Sequence, residues 1–104
     1  MIIVDINRDQ YSNIKNITVS GHSGYDELGK DIVCSAVSTA MYVSIGLLER
    51  FDIDYQFSSD EKQPIMKLNI IKPQDNGNIV LENLVETLNG IAMDYSKYLK
   101  ISEK

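Results

Sequence analysis

The sequence predicts an α+β fold: a two-layer α/β sandwich in which a four-stranded antiparallel sheet carries two helices on one face, in the order ββαββα. Two observations predict it. Four short half-apolar runs come in two pairs separated by turn clusters, and two longer runs repeat their apolar residues every three or four positions. With 104 residues and 43% apolar content the chain has room for one core, so residues 1–104 read as a single domain.

Residues 2–8 form the first strand, with Ile2, Val4 and Ile6 alternating against Ile3, Asp5 and Asn7. Asp9 to Asn13 is a turn cluster. Ile14 to Ser20 returns as the second strand of a hairpin, with Ile17 and Val19 on one face. Gly21 to Lys30 has no periodicity and reads as a loop. Asp31 is placed to cap a helix, its carboxylate accepting from the N–H groups of Val33 or Cys34. From there Ile32, Val33, Ala36, Val37, Ala40, Met41, Ser44, Leu47 and Leu48 recur at helical spacing to about Arg50. Ile53 to Ser58 is the third strand, ended by a charged turn from Ser59 to Lys62. Pro64 opens the fourth strand, which runs through Ile71 with Met66, Leu68 and Ile70 inward. Lys72 to Gly77, containing Pro73, is a connection. The last helix starts near Asn78 and aligns Leu81, Leu84, Val85, Leu88, Ile91, Tyr95 and Tyr98 on one side. So small a core leaves an edge strand or the outer sheet face for a second copy to cover.

Composition excludes several function classes. The net charge of −5 argues against nucleic acid, whose binding needs clustered Lys and Arg. The six tyrosines are scattered and lack the basic neighbours of a base-stacking surface. No stretch approaches the roughly 20 apolar residues of a membrane span, and MIIVDINRD lacks the flanks of a signal peptide. A single cysteine forms no internal disulfide, which points to a reducing cytoplasm. One His and one Cys do not close a structural zinc site, and GYDELGK lacks the spacing of a phosphate loop, so neither metal nor cofactor is expected.

The segment from Gly21 to Ser38, GHSGYDELGKDIVCSAVS, holds the only histidine and the only cysteine, His22 and Cys34. Cys34 falls in the first helical turn, where the partial positive charge of the helix end favours the thiolate, the nucleophilic form. A carboxylate at Asp31 opposes that effect, and His22 as imidazolium restores it. The N–H groups near Cys34 and Ser35 are expected to hold an oxyanion. A lone helical cysteine is also a common small core residue, and a lone histidine after a strand a common surface one. The glycines and the helix start favour chemistry when the two are taken together. Asp31 reads equally well as a plain cap or as the group that orients the imidazole, with Asp26 and Glu27 as other orienters. Ser38, one turn after Cys34, either lines the site or permits close packing.

A strand ending in G-H, further glycines, then G-x-D-I-V-C-(S/A)-(A/G)-x-S resembles the ribosomal-processing cysteine protease family. Gly21, His22, Gly29, Asp31, Ile32, Val33, Cys34 and Ser38 all match in place. The resemblance implies a bacterial cytoplasmic endopeptidase that removes a short N-terminal extension from the large-subunit ribosomal protein numbered twenty-seven. It further implies His22 as general base, Cys34 as nucleophile, a homodimer, and a flexible loop over the site. The competing expectation is a non-catalytic ribosome-associated or regulatory binding module, docking through its sheet, with Cys34 inert.

Overall fold

Alternating burial along the first strand sets the architecture. In β1 (Ile2–Arg8) Ile2, Val4 and Ile6 are buried, and β2 (Ile14–Ser20) returns antiparallel, placing Val19 opposite Val4 and Ile17 opposite Ile6. A register shift between Asn7 and Arg8 brings Ile14 into the same buried row. The Asp9 carboxylate closes the turn by accepting from the N–H groups of Tyr11 and Asn13. The computed structural model describes residues 1–22 and 31–103. Apart from Gly21 and His22, the expected loop, with Gly24, Asp26, Glu27 and Gly29, lies outside the described residues.

The helix α1 (Ile32–Arg50) has the expected bounds, and Asp31 is its N-cap. Its core face is Val33, Val37, Met41, Ser44 and Leu48, whereas Ile32 and Leu47, expected on that face, are 49% and 39% exposed. By length and composition alone this helix is long and apolar enough to cross a bilayer, whereas no segment was expected to approach that limit. Its buried face is built into the same apolar cluster as the sheet. The helix ends in a Schellman motif. Asp52 takes the left-handed conformation (φ 56°), its N–H donates to the Glu49 carbonyl, and Ile53 N–H reaches back to Leu48.

That ending moves the third strand. Ile53 closes the helix instead of opening the strand, so β3 is Tyr55–Asp60 and Ser59 and Asp60 remain paired rather than turning. It pairs antiparallel with β4 (Ile65–Ile70), whose Leu68 and Ile70 are buried. The second helix, α2 (Asp75–Asp94), starts before the expected Asn78. Gly77 is no loop residue: a Cβ there would lie 3.2 Å from the Ile53 side chain, so glycine lets the first turn pack against it.

The largest correction is a fifth strand. Tyr95 caps α2 rather than continuing it, and β5 (Leu99–Glu103) pairs parallel with β1, Leu99 opposite Ile2 and Ile101 opposite Val4. The sheet is therefore mixed and five-stranded, in the spatial order β3-β4-β2-β1-β5, and the chain order is ββαββαβ. β4 and β5 both run parallel to β1, so α2 is the crossover that such a connection requires. Both helices and one sheet face share a single apolar cluster. Full burial of each Leu, Ile or Val in it is worth roughly 1.5–3 kcal/mol.

Candidate active site

One end of the sheet and the first turns of α1 build a cleft. Ser20, the last residue of β2, lies opposite Ile3 and Ile65, so β2 ends beside the start of β4. Gly21 follows with φ +89°, and its N–H donates to the Pro64 carbonyl at 2.9 Å. A Cβ at Gly21 would stand 2.5 Å from the Met1 carbonyl oxygen, so only glycine turns the chain here without displacing β1. His22 comes directly after this turn and is exposed.

At the start of α1, Asp31 is 6% exposed, and one carboxylate oxygen accepts from the N–H groups of Val33 and Cys34, each at 3.0 Å. The cap is thus the one read from the sequence. It has a chemical consequence. The Cys34 N–H is engaged by the Asp31 side chain, and the Ser35 N–H donates to the Asp31 carbonyl at 3.1 Å. The expected oxyanion donors are therefore both occupied by the helix start itself. Ser35 is exposed and does not line the cleft. What the helix end still offers an anion is the partial positive charge of its aligned peptides.

His22, Cys34, Ser38 and Gly21 all line one cleft of about 590 Å³, within the roughly 300–1,000 Å³ usual for binding sites. Cys34 is half-buried and free. The floor is apolar, from Ile2, Val19 and Val37, and the wall facing α1 is Pro64, Ile65 and Met66. Ser59, Asp60 and Glu61 complete the rim, and Tyr42 lies farther along α1. Sequence reasoning assigned none of these lining residues to the site, because they come from five elements that only tertiary packing brings together. Val37 and Tyr42 alone carried a signal: at three and eight positions after Cys34 they fall, with Ser38, on that residue's side of the helix.

A family model described as cysteine protease Prp matches residues 1–100 of the chain. The Staphylococcus aureus ribosomal processing cysteine protease Prp is 25% identical over 109 residues, covering 100% of both chains. Its Mycoplasma genitalium counterpart is 28% identical over 88 residues, covering 85% of this chain and 87% of that one. The crystal structure of the S. aureus protease with a covalently linked product peptide matches with a TM-score of 0.94 at 21% identity over 100% of both chains, the same fold.

Proposed function

Since the chain belongs to the cysteine protease Prp family and is a cysteine peptidase, we propose that its substrate is the N-terminal extension of the large-subunit ribosomal protein numbered twenty-seven. The observation that carries the reading is the placing of the only thiol and the only imidazole on one open cleft, with the thiol at a helix N-terminus. The ribosomal processing named for the S. aureus and M. genitalium relatives supports the substrate class. The decisive experiment incubates the protein with the same organism's full-length ribosomal protein and weighs the products. A mass loss equal to a short N-terminal peptide is expected; an unchanged mass rejects this substrate.

In this mechanism His22 takes the Cys34 proton, and Sγ attacks the scissile carbonyl carbon to form a tetrahedral oxyanion near the positive end of α1. The C–N bond breaks as His22 returns the proton to the leaving amine, which leaves a thioester. Water, deprotonated by His22, attacks the thioester, and the C–S bond breaks to release the carboxylate and regenerate the thiol. A working thiol is best preserved in a reducing compartment, which supports the cytoplasm as its site of action.

Three variants probe the support around this pair. Asp31→Asn is expected to melt near the parent, because Asn caps as well as Asp, whereas Asp31→Ala loses about 0.5–2 kcal/mol. Turnover should fall in the Asn variant as well, since the charge that orients His22 or stabilises its imidazolium is gone. Full activity with unchanged melting would reduce Asp31 to a cap. Gly21→Ala should lower kcat/KM on the order of 10²-fold by shifting His22, the scale expected for displacement of a catalytic group by about 1 Å. Parental kcat/KM in that variant would show that His22 does not depend on the Gly21 turn.

The protein acts as a homodimer in this proposal. Residues Ile32 to Leu48 carry no charged side chain, and Val43, Leu47 and Phe51 form an exposed apolar strip, 60%, 39% and 46% accessible. A second copy meets such a strip without like-charge repulsion, despite the net charge of −5. Light scattering should give twice the chain mass for the parent and the single mass for Val43→Glu; a monomeric parent rejects the dimer.

A further inference from the structure

Among the described residues neither α2 nor β5 lines the cleft. The start of β5 is nonetheless linked to His22 through the first residues of β1. That strand lies between β5 and β2 in the sheet, and its beginning is gripped on both edges. On one edge the Ile2 N–H donates to the Tyr98 carbonyl at 2.8 Å, and Ile2 stands opposite Leu99. On the other edge Ile3 stands opposite Ser20. Gly21 follows Ser20 and turns at φ +89° against the Met1 carbonyl, whose oxygen lies 2.5 Å from where a Cβ would stand. The two backbones pack with no side chain between them, and His22 is the next residue.

β5 is itself fixed at both ends. At its start the N–H groups of Tyr98 and Leu99 donate to the Tyr95 carbonyl at 2.9 and 3.1 Å, which ties the strand to the end of α2. Leu99 is buried in the common apolar cluster with Ile2. At the other end the Arg8 guanidinium donates to Glu103 of β5 and to Glu82 of α2. A slip of one residue would turn Leu99 out of the core, so burial and these anchors together hold the register.

We infer that β5 positions the imidazole of His22: Leu99, seated opposite Ile2, holds the first two residues of β1 against Gly21, and that contact sets where the turn presents His22. Leu99 is a positioning residue that acts through Ile2, Met1 and Gly21 and touches no substrate. Truncating it leaves a cavity beside Ile2 that the surroundings fill only in part. As the start of β1 relaxes toward that cavity, Met1 leaves Gly21 and the turn loses its stop. A general base works only within hydrogen-bond reach of its proton, so a small shift there lowers turnover. The inference rests on the peptidase reading and deepens it.

The test compares the parent with Leu99→Ala, Leu99→Val, Leu99→Met, Leu81→Ala and Cys34→Ala, each at a temperature where its melting curve shows the native state. Leu81 is as buried as Leu99 but lines a crevice with Ile14 and Ile70, at the ends of β2 and β4 away from the cleft. Two readouts are taken: kcat on a peptide that the parent cleaves, chosen from a proteome-derived mixture, and the NMR signal of the His22 ring, the only imidazole in the sequence. Leu99→Ala should lower kcat about 10–100-fold, the scale for displacing a catalytic group by up to about 1 Å, and should move the ring signal. Leu99→Val should do both to a smaller extent, and Leu99→Met, which refills the volume, should restore both. Leu81→Ala should keep both near the parent. Parental kcat with an unmoved ring signal in Leu99→Ala, or in Leu99→Val where the Ala variant does not fold, overturns the positioning role. Equal changes in Leu81→Ala overturn it as well, because β5 then only stabilises the fold. No Cys34-dependent cleavage of the mixture by the parent overturns the peptidase reading, and with it Leu99 as a residue that serves catalysis, whatever the ring signal does.

Discussion

Replacing Cys34 by Ala should reduce peptide cleavage to background while the fold persists. In the proposed mechanism its thiolate forms the covalent intermediate, and the sequence has no other cysteine to replace it. Loss of turnover should reach on the order of 10³-fold or more, since a missing nucleophile removes a whole covalent route and not one contact. Stability should change by only about 1 kcal/mol, because Cys34 is half-buried and Ala suits a helix better. The Asp31 cap is made to the backbone N–H of residue 34 and survives the change. Thermal melting separates the two effects. A variant that melts cooperatively near the parent temperature yet still cleaves would show that Cys34 is not the nucleophile. Alkylation gives a second measurement: the parent should lose activity in step with modification of its single thiol, and activity that outlasts complete modification would equally exclude Cys34.

The second large effect is expected at His22. His22→Ala should lower kcat/KM by about 10²–10⁴-fold, the usual contribution of a positioned general acid–base. Melting should stay near the parent, since the side chain is exposed and stands outside the apolar cluster. A purely structural histidine would behave differently. Its loss would leave the shape of the kcat/KM–pH profile intact, whereas loss of the base removes the limb that reports imidazole titration. His22→Ala protein with parental kcat/KM and an unchanged profile would dissolve the proposed pair.

Most of the secondary structure was legible because its causes are local. Alternation marked β1 and β2, the Asp31 cap and the 3.6-residue repeat marked α1, and each has the expected bounds. The misses occurred where a residue type has two uses. Gly77 suggests a connection but serves close packing against Ile53, and Ile53 suggests a strand start but closes the end of α1. Tyr95 and Tyr98 continue the helical spacing of α2, yet the chain leaves the helix at Tyr95. The short run LKISE becomes a strand because β1 offers it a free edge. Nothing local to those five residues requires it.

For the candidate site, the sequence by itself determined the cap and the residues proposed to react: one His, one Cys, and an aspartate three positions before that Cys, all set by composition and spacing along the chain. Tertiary structure alone decided which walls face them. Pro64, Ile65 and Met66 reach the cleft because β4 pairs with β2, and Ser59, Asp60 and Glu61 because β3 pairs with β4. It also decided that the N–H groups of Cys34 and Ser35 are spent on Asp31, a matter of hydrogen-bond geometry that no spacing reveals. A helix and its cap depend on neighbours within about four residues, so sequence displays them directly. A cleft depends on strands paired across dozens of residues, and such pairing is settled only when the whole apolar face is buried at once.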